Sequence, residues 1–169
     1  MSKSHSTLTH ARLREVLLFD TATGEFYWRE KLATHTVVGS RAGGVDNRGY
    51  WRIRLFGISY AAHRLAWFYV HGEWPKADID HKNRARVDNR LRNLRDVSRS
   101  VNMQNVTAAG GASGLRGVRR HRNGRFEARI VAGGKRHTLG YYSTADAAYA
   151  AYMEAKLRLH AGYIPGSTG

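Results

Sequence analysis

An acid and an imidazole stand side by side at Asp80 and His81, with Asn93 twelve residues after the histidine and Asn102 nine after that. A phosphodiester is cleaved by in-line attack of water. That requires a base for the water and a cation for the charge developing on the phosphate and leaving oxygen. A histidine near neutral pKa suits the first task, and His81 is the candidate base. A carboxylate and an amide oxygen suit the second, because Mg²⁺ prefers oxygen ligands and keeps several waters. Asp80 and Asn102 are the candidate ligands, with Asn105 the alternative to Asn102. Between Asp78 and Asn105 lie seven basic residues, Lys82, Arg84, Arg86, Arg90, Arg92, Arg95 and Arg99. That excess of positive charge would hold a polyanion against the site.

The elements around this stretch are legible. Asp78 to His81 reads as a short strand, 82–93 as a loop and Leu94 to Val97 as a second strand. Ser98 then caps a helix on which Asn102 and Asn105, three apart, share a face. Strand, loop, strand and helix would bring Asp80 and Asn102 together across the helix–sheet contact.

Upstream, residues 1–7 are polar and read as a frayed end. Leu13, Val16 and Leu17 predict a helix from about Thr9 to Leu18. Asp20 to Gly24 is a turn, and Glu25 to Trp28 completes a hairpin. Residues 29–44 read as loop. After a turn at Asp46–Gly49, Trp51, Ile53 and Leu55 alternate with Tyr50, Arg52 and Arg54 as a strand. A return strand covers Ile58 to Ala62. His63 to His71 is a helix stopped by Gly72, and His63 reads as a helix-start or packing histidine rather than a ligand.

Composition narrows the partners. The chain has 169 residues and a formal charge of +15, from 28 Lys plus Arg against 13 Asp plus Glu. Such an imbalance points to nucleic acid, since each basic residue on a phosphate releases a condensed counterion. With no cysteine, disulfides and Cys-rich zinc sites are excluded. No apolar run reaches the roughly 20 residues needed to span a bilayer, and no signal-peptide core is present. The expectation is a soluble protein of the cytoplasm (the host cytoplasm, if phage-encoded), with no membrane partner.

The pattern Asp80-His81, Asp88-Asn-Arg90, Asn93-Leu94 and Asn102 resembles the HNH endonucleases, most closely the phage homing-endonuclease branch in which Asn replaces the last His. The resemblance implies the ββα-metal fold, with His81 as general base, Asp80 and Asn102 as ligands of one divalent ion (Mg²⁺, or Mn²⁺), and Asn93 holding His81 in orientation. It also places Arg84, Arg86 and Arg90 near the scissile backbone.

Small, uncharged residues from 107 to 113 read as a linker. Beyond it, strands are predicted over 115–121, 125–131 and 135–141, joined by turns at Arg122-Asn-Gly124 and Ala132-Gly-Gly134. Ser143 is the predicted N-cap of an Ala-rich helix running to about His160. Phe126, Ala128 and Ile130 would face that helix, and the opposite sheet face would be bare and basic. This unit resembles the APETALA and ethylene-response-factor DNA-binding domain, through Arg116-Gly-Val-Arg119, Gly124-Arg-Phe126, Leu139-Gly140 and the helix from Thr144. The resemblance implies a sheet in the major groove, with Arg116, Arg119, His121, Arg129 and Arg136 toward DNA. The family's contacting tryptophans fall at Asn123 and Thr138, so its target sequence does not carry over.

The expectation is therefore an α+β protein. A ββα-metal nuclease module with an N-terminal extension spans 1–106, a linker 107–113, and a three-stranded antiparallel sheet packed on one helix 114–169. It would cleave double-stranded DNA at preferred sites, as a monomer or homodimer. The alternative is a sequence-specific DNA-binding regulator built on an inactive nuclease scaffold.

Overall fold

The computed structural model describes residues 8–106 and 113–165. The chain divides into two compact units, one up to Ser98 and one from Arg99 onward. The expected linker, apart from Ser113, lies outside the described residues.

In the first unit, helix α1 (His10–Val16) is capped by Thr9, whose hydroxyl accepts from the Arg12 amide. The helix stops before the expected Leu18, because Leu17 is already extended and opens β1 (Leu17–Asp20), which pairs antiparallel with β2 (Glu25–Trp28). Strands β3 (Gly44–Val45), β4 (Trp51–Leu55) and β5 (Ile58–Ala61) form an antiparallel sheet in that order. Within the expected 29–44 loop, Arg41 bridges to Tyr27. Helix α2 (Ala62–His71) follows, ended by Gly72 in the left-handed conformation. Leu13, Val16, Phe26, Ile53, Leu55 and Leu65 are the fully buried centre of one apolar core. Ile79 and Leu94 tie the next hairpin into it. That hairpin, β6 (Asp78–His81) and β7 (Leu94–Val97), has the expected bounds, with a single 3-10 turn, Leu91–Asn93, closing its loop.

In the second unit, α3 (Arg99–Asn105) is followed by strands β8 (Val118–Arg120), β9 (Phe126–Ala132) and β10 (Lys135–Tyr142), antiparallel with β9 central. Helix α4 (Ala145–Leu159) covers one face, over Val118, Ala128 and Ile130. Its N-cap is Thr144, whose hydroxyl accepts from the Ala147 amide, and not Ser143. β8 is shorter than predicted because the chain before it turns at Gly117, at φ +79°, where a Cβ would meet the Tyr152 ring at 2.1 Å. Only glycine fits so close to that ring. α3 is held within this unit: Gln104 accepts from the Gly162 amide at 2.8 Å, and buried Lys156 of α4 donates to the Val106 carbonyl just past α3. No helix among the described residues is long and apolar enough to cross a membrane.

Candidate active site

Asp80 and His81 end β6, and both are buried, at 8% and 4% exposure. Sheet register sets what each faces. Asp80 lies opposite Arg95 and His81 opposite Leu94. Arg95 donates to Asp80 Oδ2 from Nε (2.9 Å) and Nη2 (2.6 Å).

The loop from 82 to 93 is folded by its own side chains. Asp88 accepts from Arg90 Nε and from the Asn83 amide, both at 2.7 Å. Asn93 accepts from the Asn83 backbone N–H at 3.0 Å and donates to the Asp88 carbonyl at 2.8 Å. Arg84 sits at φ +64°, a conformation that a non-glycine residue adopts only when its surroundings impose it. Arg90 beside Asp88 holds that carboxyl below the ordinary carboxylate range.

This network presents Asn89, 2% exposed, to the imidazole: its Oδ1 lies 3.1 Å from His81 Nε2. Asn93, expected to orient His81, makes its described hydrogen bonds within the loop. Both ends of the Asn93 amide bond the loop backbone, and the amide that reaches the ring is Asn89. An amide oxygen only accepts, so His81 Nε2 carries the proton and Nδ1 is the basic nitrogen. Burial lowers the His81 pKa, against the Asn89 hydrogen bond and the Asp80 and Asp88 carboxylates, which raise it. A neutral imidazole is the form a general base needs.

His63, at the start of α2, sits edge-to-face with His81, with ring centroids 5.1 Å apart, and Tyr50 packs against both rings. Burial pushes the His63 pKa down to about 3. His63 is a packing residue, as expected, but what it packs on is the candidate base. Its placement there has no local sequence signal. Arg95 had one: given the β6–β7 hairpin, ladder counting puts it across from Asp80.

The remaining sequence candidates fall in several places. Arg90 is tied to Asp88. Arg86 is exposed, donates to the Arg48 carbonyl at 2.6 Å and stands over the Tyr50 ring. Asn102 and Asn105 lie on α3, in the second unit, Asn102 half-buried and Asn105 buried. Strand register puts Arg119, Arg129 and Arg136 on the sheet face away from α4, since their ladder neighbours alternate with buried Val118, Ala128 and Ile130. Arg116 lies beside Tyr152, whose hydroxyl pKa burial raises and Arg116 draws down. Exposed His121 packs edge-on against Tyr141.

Among the described residues, no three His, Cys, Asp or Glu side chains form a metal-binding group. The Asp80 carboxylate is an oxygen donor of the kind a hard divalent cation such as Mg²⁺ favours, leaving other positions to water and phosphate oxygens.

Residues 60–104 match the family model described as HNH endonuclease. Among solved structures, the chain is similar to the HNH homing endonuclease I-HmuI, in a structure described as showing its DNA binding and cleavage. The identity is 28% over 53% of this chain and 50% of that one, so about half of each is spanned, with a TM-score of 0.42. No curated protein sequence matches. Asp80, His81, Asn93 and Asn102 all fall within the residues that match the HNH endonuclease model.

Proposed function

We propose that the chain is a metal-dependent endonuclease that cleaves duplex DNA at preferred sites, of the homing type. The observation that carries this reading is the buried His81, held in one tautomer by Asn89 and seated beside the Asp80 carboxylate. His81 Nδ1 takes the proton of the attacking water, and Asn89 stabilises the imidazolium by accepting from Nε2. Asp80 and Asn102 are the residues proposed to hold the divalent ion, which supplies positive charge against the phosphate and the leaving oxygen. Arg95 fixes the Asp80 carboxylate. Arg84 and Arg86 are proposed to approach the backbone near the cut. Arg90, engaged by Asp88, orders the loop.

A site directed at the backbone carries little sequence information. The sheet of the second unit is the proposed reader, with Arg119, Arg129 and Arg136 on one face and Arg116 and His121 at its edge. An arginine bidentate to guanine discriminates by about 1–3 kcal/mol. The overall charge of +15 suits the same polyanionic partner.

The test is supercoiled-plasmid cleavage on DNA carrying the protein's native flanking sequence, in Mg²⁺, Mn²⁺ and EDTA, with His81→Ala beside the wild type. The expected result is cleavage by wild type in metal alone, with open-circle or linear product distinguishing nicking from double-strand cutting. Equal cleavage by His81→Ala would remove His81 as base. Tight duplex binding without cleavage by either protein would leave a DNA-binding regulator.

A further inference from the structure

The second unit contains a cleft of about 420 Å³ between α3 and the edge of β9, where β8 has ended. Three guanidiniums line it, Arg116, Arg129 and Arg136, and no acidic residue does. None of the three is in an ion pair among the described residues. Three uncompensated cations around one concavity repel each other unless an anion enters it.

His160 gives the cleft a second, independent feature. It lines the cavity, is 9% exposed, and its Nε2 lies 2.8 Å from the Val131 carbonyl. A carbonyl only accepts, so Nε2 is the donor. The other ring nitrogen, Nδ1, is buried and has no hydrogen-bond partner among the described residues. A buried ring nitrogen without a partner is costly. From α3 the wall adds Ser100 and Gln104, small and uncharged polar groups.

We propose that this cleft is a phosphate-binding site, and that the phosphate is one of the DNA backbone. It deepens the DNA-cleaving reading and rests on it. The site lies at the edge of the sheet where β8 has ended, bordering the face that carries Arg129 and Arg136, so a backbone phosphate held there would set the register of that face on DNA. Ser100, Met103 and Gln104 share one face of α3, and Asn102 lies on the same helix, so a phosphate in the cleft bears directly on the element that carries a proposed metal ligand.

The experiment is duplex binding by the full chain in EDTA, followed by fluorescence anisotropy as a function of salt. Wild type is compared with Ser100→Glu, His160→Gln and Arg136→Gln, and with Arg122→Gln, an exposed arginine of the β8–β9 turn, as control. Removing one phosphate contact lowers the slope of log affinity against log salt by about 1. That drop is expected for Arg136→Gln. His160→Gln, which alters the buried wall of the cleft, should weaken binding about tenfold, and Ser100→Glu should weaken it further by placing a carboxylate in the cleft. Duplex binding with Ser100→Glu and His160→Gln indistinguishable from the control overturns the site and leaves the DNA reading standing. No duplex binding by wild type overturns both. If inorganic phosphate binds wild type but not the cleft variants, while their duplex affinity is unchanged, the site takes free anions and the backbone assignment fails. Should His160→Gln not fold, by circular dichroism, exposed Ser100 carries the decision.

Discussion

Arg95 lies directly across the β6–β7 ladder from Asp80 and places two guanidinium nitrogens on one carboxylate oxygen, Oδ2. The pair is largely buried, at 19% and 9% side-chain exposure. Removing one partner of such a pair leaves a buried charge and costs about 3 kcal/mol. A divalent ion on Asp80 would offset that loss. Arg95→Gln should therefore unfold at lower urea than wild type in EDTA, and Mg²⁺ should raise its midpoint more than that of wild type. Equal Mg²⁺ gains in the two proteins would remove Asp80 as a ligand.

Asn89 and Asn93 lie four residues apart and do different work. Asn89→Ala takes away the acceptor that fixes the His81 tautomer, and cleavage should fall about 10–100-fold, the range for losing a group that orients an active residue. Losing this buried hydrogen bond should also lower stability, by about 1–3 kcal/mol. Asn93→Ala removes two hydrogen bonds inside the 82–93 loop, so it should lower stability by a similar amount, about 2 kcal/mol. Plasmid cleavage rates, measured where urea midpoints show both variants folded, separate the two. Loss of activity confined to Asn93→Ala would return the orienting role to Asn93.

The hairpin turn between β1 and β2 supports that loop from outside. Gly24, at φ +78°, is so close that a Cβ would stand 2.4 Å from the Arg90 backbone nitrogen and 2.6 Å from the Asn89 carbonyl carbon. Backbone cannot yield as a flexible side chain does. Gly24→Ala combines this clash with a left-handed conformation that alanine resists, and should cost at least about 2 kcal/mol. It should also reduce cleavage, although Gly24 is remote in sequence from His81. A variant with wild-type stability and rate would show that the loop does not rest on this turn.

Much of this was legible before any coordinates. The bounds of β6 and β7 were read as two short strands flanking a polar, turn-forming loop, and that signal is local. The Asp80-His81 pair and the Asn spacing are local too, and they pointed to the stretch that matches the HNH endonuclease model. Asn89 was visible inside the motif Asp88-Asn-Arg90, but not its task. Which amide meets the imidazole depends on how Asn83, Asp88, Arg90 and Asn93 fold the loop and on the approach of Gly24, and these are tertiary facts. His63 escaped because its contact with His81 joins two elements whose packing no local pattern encodes. The α4 cap moved from Ser143 to Thr144 because both hydroxyls suit the position and only backbone geometry chooses between them.

His63 and His81 make acid stability a test of the same packing. In the folded chain both pKa values lie below the ordinary 6.5, His63 at about 3. A histidine depressed in this way binds fewer protons folded than unfolded, so its contribution is whole above pH 6.5 and is lost as pH falls below it. The loss runs at about 1.4 kcal/mol per pH unit for each such group. Between pH 6.5 and 5, above the range of ordinary carboxylates, His63 alone should account for about 2 kcal/mol. The wild-type urea midpoint should fall steeply over this window, and that of His63→Gln less steeply. The low-pH limb of kcat/KM should lie below 6.5, because His81 stays neutral to lower pH than a solvated histidine. A flat midpoint between pH 6.5 and 5 would mean that neither ring is held neutral by burial.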